Sequence, residues 1–213
     1  MAFRYTRREE VANALTHGIG AVISLVGAIV LIFFASMSGS TLEVIAVTIY
    51  GTTMLFMYVS STLVHSLKDG RLKDIFLYFD HASIYLFIAG TYTPFLLIVL
   101  QDRIGLFFFF LIWGIAILGS VLKMIFIKKF VLLSTLIYLF LGWFVLFIWK
   151  PLAMELETTG LVLLIIGGLF YTFGTIFFLW RGFPYHHAVW HLFVVIGSIF
   201  HFFAILFYVV LVG

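Results

Sequence analysis

The sequence predicts an all-α integral membrane protein, a bundle of seven transmembrane helices with a cytoplasmic N-terminus and an extracellular C-terminus. Three observations carry that expectation. The first is composition: of 213 residues, 64% are hydrophobic, 20% aromatic and 10% charged, with a mean hydropathy of +1.24. No soluble domain of this size hides so much apolar surface, whereas a polytopic membrane protein leaves it against lipid. The second is spacing. Apolar runs long enough to cross a bilayer core, about 20 residues each, fall near 12–35, 43–65, 77–100, 104–122, 130–149, 160–180 and 187–212. The polar breaks between them (36–41, 66–74, 101–103, 123–129, 150–159, 181–184) are too short for a second domain, so 1–213 reads as one unit.

The third observation is where Lys and Arg fall. On alternate connectors, one side holds Arg4, Arg7, Arg8, then Lys68, Arg71, Lys73, then Lys123, Lys128, Lys129, and finally Arg181. The other side holds only Arg103 and Lys150. By the positive-inside rule the first side is cytoplasmic. The same distribution argues against a nucleic-acid partner: net charge is +3 and pI near 9.2, yet the basic residues sit in short connectors and form no patch. The polar leader Arg4 to Glu10 runs straight into a full-length span, which is not the pattern of a cleavable signal. With no cysteine, any metal must be held by His, Asp or Glu.

The first run carries Glu10, Asn13 and His17 at i, i+3 and i+7, one helical stripe. They either brace a polar site or are acidic residues favoured at a helix start, followed by a histidine satisfied at the interface. The second run closes on Ser61-x3-His65, which sets hydroxyl and imidazole on one face. The alternative is a serine bonded back to its own helix and a terminal histidine among headgroups. The third opens with Asp80-His81; a carboxylate this far inside a span is costly unless water, a metal or a cation meets it, or unless it stays hydrated at the surface. Pro94 is expected to kink the far end of that run.

Runs four to six offer little chemistry. Phe107 to Phe110, with Trp113, Trp143, Trp149 and Trp180, read as lipid-facing bulk and interfacial anchors, and Gly114, Gly119, Gly167, Gly168 and Gly174 as points of close helix approach. The seventh run begins His186-His187-Ala188-Val189-Trp190-His191. At 1.5 Å and about 100° per residue, His187 and His191 stack on one face about 6 Å apart, which is metal-ligand spacing. His201 lies about 15 Å further along and cannot join the same coordination shell.

Helix rise from the nearest basic connector puts Glu10, Asn13, His17, His65, Asp80, His187 and His191 within roughly 10 Å of the inner hydrocarbon boundary. Seven residues from four spans thus share one depth, and chance placement would not favour one leaflet. Two imidazoles from an i, i+4 pair and one from another helix match a catalytic Zn²⁺ site with a fourth position open to water. Such a metal lowers the pKa of its water from 15.7 to about 7. Asp80 is then the expected base or water orienter, and Ser61 a hydrogen-bond donor.

Ser61-x3-His65, Asp80 and His187-x3-His191, in this order over seven spans, resemble the motif set of the hemolysin III family, the adiponectin and progestin receptors and, more distantly, the alkaline ceramidases. Glu10-x2-Asn13-x3-His17-Gly18 and His187-Ala188-Val189-Trp190-His191-Leu192-Phe193 resemble bacterial hemolysin III members most. The resemblance implies zinc held by His65, His187 and His191, Asp80 reaching it through water, Ser61 behind the ligands, and residence as a multi-pass protein of a bacterial plasma membrane. His81 and His186 match no ligand of that family; His201 recurs in it without an assigned role. The functions that follow are a ceramidase-like hydrolase of a lipid amide or ester arriving from the inner leaflet, a non-enzymatic sensor or regulator of bilayer state stabilised by zinc, and, from the family's name, cytolysis. The sequence offers no amphipathic pore-lining stripe for the last.

Overall fold

In hydrocarbon a backbone amide has no solvent partner, so an apolar run must satisfy its N–H and C=O groups internally, and every one of these runs folds into helix. The computed structural model describes residues 5–127 and 129–212. Arg4 and Lys128, both used in the orientation argument, lie outside the described residues. The helices are α1 (Arg7–Met37), α2 (Thr41–Ser66), α3 (Arg71–Pro94), α4 (Arg103–Ile125), α5 (Val131–Gly142), α6 (Trp149–Glu155), α7 (Thr158–Leu179) and α8 (His186–Ile205). A π-helical turn, Phe95–Val99, continues α3, another, Leu206–Val210, continues α8, and a 3₁₀ stretch, Trp143–Ile148, joins α5 to α6. Among the described residues seven helical segments are long and apolar enough to cross a membrane, α5 to α6 forming the fifth.

Local chemistry sets the helix starts. Thr6 and Glu9 cap α1 reciprocally, Glu9 N–H donating to Thr6 Oγ1 (3.3 Å) and Thr6 N–H to Glu9 Oε2 (2.8 Å). Glu9 Oε1 also accepts from Tyr185 N–H at 3.1 Å, which ties the start of α1 to the start of α8. Ser40 and Asp102 cap α2 and α4 through the amides of Glu43 and Gly105. Between α1 and α2 the chain turns at Gly39, whose φ of +73° suits a residue without Cβ.

Packing runs α1 on α2, α2 on α3, α3 on α5, α5 on α7, α7 on α8 and α8 back on α1, a closed ring with α4 laid against α3. The third crossing, flanked by α2, α4 and α5, is the most enclosed. Its small and polar side chains (Ala82, Ser83, Ala89, Gly90, Thr91, Thr93) permit that enclosure. The apolar core (Leu31, Tyr50, Met54, Phe87, Leu96, Ile112, Leu141, Ile205 and neighbours) fills the middle and one end. Outward faces carry Phe33, Phe107, Phe110, Leu132, Phe147 and Phe173, all exposed, as a lipid-facing surface requires.

Three expectations need correction. Lys123 is not part of a connector: it belongs to α4 and its side chain is only 5% exposed. Sequence position near a run's end does not reveal which way a side chain faces, and this one faces inward. Trp113 and Trp143 are not free interfacial anchors, since their indole N–H groups donate to Thr93 and Thr172 on neighbouring helices at 3.1 and 2.9 Å. The fifth helical segment runs on to Glu155, because 150–155 is helical, making up most of α6, instead of a loop. At Pro94, where a kink was expected, α-helical bonding gives way to the π turn.

Candidate metal centre

Helices α1, α3, α5 and α8 begin, and α2, α4 and α7 finish, at one end of the bundle, referred to as the basic end. His65 arrives there near the last turn of α2, and His187 and His191 leave in the first two turns of α8. One ring nitrogen from each of His65, His187 and His191 lies within 4.8 Å of the others. Ring centroids are 4.4 Å apart for His187 and His191, 5.2 Å for His65 and His187, and 5.3 Å for His65 and His191.

The other nitrogens show how the rings are aimed. His65 Nδ1–H donates to Glu10 Oε2 at 2.5 Å, which leaves Nε2 as a buried lone pair with no partner among the described residues. Lys73 Nζ donates to Glu10 Oε1 at 2.9 Å and reaches Asp69 Oδ1 at 3.4 Å, so the carboxylate is held from both sides. His191 Nδ1–H is directed at the Asn13 carbonyl and the Thr16 hydroxyl, both 3.1 Å away, which frees Nε2 in the same sense. A carboxylate or carbonyl behind an imidazole is how metal-binding histidines are fixed in tautomer and orientation. His187 Nδ1 is likewise buried without a hydrogen-bond partner.

The remaining predicted residues divide. Ser61 Oγ is buried, has no partner among the described residues, and lines the same cavity as the three histidines. Asp80 lines it too, its Oδ2 3.3 Å from His81 Nδ1. His17 stacks flat on His191 (centroids 3.5 Å, 13° between planes) and meets Tyr58 edge-on, so it packs behind the cluster. The Asn13 side chain is buried in the same layer, its amide atoms unpartnered among the described residues. His201 stands apart from the cluster: Nε2–H donates to Leu164 O at 3.1 Å and the ring meets Tyr171 edge-on, though it lines the far part of the cavity. Buried polar atoms ordinarily find partners. Here the unpaired atoms of Asn13, His17, Ser61, His65 and His187 lie in one layer, together with a cavity of about 1050 Å³. Three imidazoles without thiolate suit zinc, so the donor set fits that ion.

Three participants escaped the sequence reading. Tyr5 lays its ring over His187 (5.1 Å, 29°), and burial raises its phenol pKa. Thr16, beside Asn13 and His17, is a helix neighbour of the stripe but one position off it. Lys73, one of the basic residues that set the expected orientation, also clamps Glu10. Only Thr16 left a signal, by its spacing.

Comparison with known proteins follows the same line. The family model described as haemolysin-III related matches residues 5–202. The chain belongs to that family. A hemolysin-3 homolog of Bacillus subtilis (strain 168) is 47% identical over 206 residues, covering 97% of both chains. Hemolysin-3 of Bacillus cereus is 47% identical over 202 residues, 95% of this chain and 92% of its own. The human monocyte to macrophage differentiation factor is 30% identical over 209 residues, covering 95% and 85%. Seven helices of membrane-crossing length and this kinship make the haemolysin-III-related chain a multi-pass protein of the cell membrane.

Proposed function

We propose that this haemolysin-III-related protein is a zinc-dependent hydrolase of a membrane-lipid amide or ester, with its basic end in the cytoplasm and its substrate entering from the inner leaflet. The observation that carries the reading is the convergence of His65, His187 and His191 on one point of a roughly 1050 Å³ cavity that Asp80 and Ser61 also line. His65, His187 and His191 would hold the ion. Bound there, zinc would supply an acidified water and a polarising charge for a carbonyl.

The chain's own groups have separable tasks. Glu10 and the Asn13 carbonyl keep His65 and His191 as Nδ1–H tautomers, with Nε2 available as ligand. The Asp80 carboxylate would accept the proton from the attacking water and pass it to the leaving amine or alcohol. Ser61 Oγ–H would donate to the oxygen on which negative charge grows, an interaction worth roughly 3 kcal/mol in comparable sites. Tyr5, stacked over His187, covers the centre from the aqueous side.

Purified zinc-loaded protein should turn over at least one lipid among ceramides, acyl amides and phospholipids. Asp80→Asn should keep the metal and lose about a hundredfold or more in kcat. No turnover of any of these lipids by the metal-loaded protein would contradict the reading. A second reading, a zinc-stabilised sensor of bilayer state, rests on the ties from the cluster to α1 through Glu10 and Asn13, which give a bound metal a stapling role. On that reading His191→Ala lowers thermal stability and every cellular effect tracks protein abundance. Two relatives carry the name hemolysin-3; lysis by this chain would follow from hydrolysis of a target membrane's lipids without a pore.

A further inference from the structure

Lys123 is a buried cationic side chain of the cavity wall for which the metal reading has no use. It sits in the last turn of α4, about 3 Å of helix rise from the end of that helix. A lysine at such a position ordinarily extends to water. This one turns inward, is 5% exposed and lines the cavity. Its Nζ donates to Ser134 Oγ at 3.0 Å, and Ser134 in turn donates to the Phe130 and Val131 carbonyls. Among the described residues it has no ion pair; of the carboxylates that line the cavity, Glu10 is engaged with His65 and Lys73, Asp69 with Lys73, and Asp80 with His81. Asp74, which also lines the cavity, is exposed.

Two cross-helix bonds fix the level of Lys123. Ser120, one turn earlier in α4, donates to Ala82 O at 3.0 Å, and Tyr138, one turn after Ser134, donates to His81 O at 3.0 Å. Since α3 and α4 run in opposite directions, the Lys123 ammonium stands at the depth of Asp80. The cavity continues from there along Ile84, Ile88, Leu139, Leu146 and Ile148. A buried cation without an anion is costly in a membrane interior, and an amphiphile bearing an anionic head removes that cost while its chains cover the apolar wall.

We propose that Lys123 is an anion-binding residue of this cavity, holding the phosphate oxyanion of a phospholipid whose acyl chains lie along the apolar wall. Lysine presents a compact charge with three donors, which suits a tetrahedral oxyanion. Its position near a helix end corresponds to the depth at which lipid phosphates meet hydrocarbon. Free orthophosphate offers the same oxyanion chemistry but gains nothing from the wall. The inference does not depend on the zinc reading.

The test is binding to purified protein, followed by thermal shift and native mass spectrometry, with short-chain phosphatidic acid, the matching diacylglycerol that lacks the phosphate, and inorganic phosphate. Wild type should bind phosphatidic acid about tenfold or more tightly than diacylglycerol. Lys123→Arg should keep that preference, and Lys123→Met should lose it while binding diacylglycerol as wild type does. The preference should survive chelation of metal, which separates this result from the fate of the zinc proposal. Equal binding of the two lipids by wild type, or an unchanged preference in Lys123→Met, would overturn the assignment. Protection by inorganic phosphate equal to that by phosphatidic acid would assign the residue to a free anion and overturn its lipid part.

Discussion

Glu10 decides what His65 can do. With its Nδ1–H committed to the carboxylate at 2.5 Å, His65 offers Nε2 alone, and the Lys73 ammonium at 2.9 Å keeps that carboxylate charged and fixed. Glu10→Gln removes the charge and keeps the size, so it should weaken zinc affinity about 10- to 100-fold with little change in fold, read by competition with a chromophoric chelator. Unchanged affinity would reduce Glu10 to a helix-start acid. At this scale the sequence discloses part of the site. His187 and His191 are legible because helical spacing alone puts them on one face, and His65 and Asp80 because span depth aligns them. Tyr5, Lys73 and Lys123 are not, since their roles depend on which neighbour they face, and that is a tertiary fact.

Elements bring these residues to one level. The tie from Glu9 to the Tyr185 amide sets the register between α1 and α8, and the approach of α7 to α8 is set by small residues. A Cβ at Gly174 would run into Trp190 and Phe193, and one at Gly167 into His201. Gly174→Leu should therefore push α7 off α8 and cost about 1–3 kcal/mol, measured as a lowered thermal midpoint in detergent. A neutral result would mean that the interface is not tight there. Helix existence follows from apolar run length, and the described helices cover the seven runs. The break of the fifth into α5, the 3₁₀ stretch and α6 was not legible, because Trp143 to Ile148 is apolar throughout and hydropathy does not distinguish one helical winding from another.

For the whole molecule the division of labour is by end. One end and the middle are packed apolar core, and the basic end holds the histidine cluster and its carboxylates. The proposal that this end is cytoplasmic can be tested directly because the chain has no cysteine. A membrane-impermeant maleimide applied to intact cells should label Gln101→Cys and spare Lys68→Cys until the cells are opened; the opposite pattern would invert the topology.

The central claim is that imidazoles from α2 and α8 hold one divalent ion. The most direct measurement is metal content of the purified protein against His65→Ala, His187→Ala and His191→Ala. About one zinc per chain in the wild type and far less in each variant is the expected result. Wild type without stoichiometric metal after purification in zinc-supplemented buffer, or variants that retain it in full, would contradict the account.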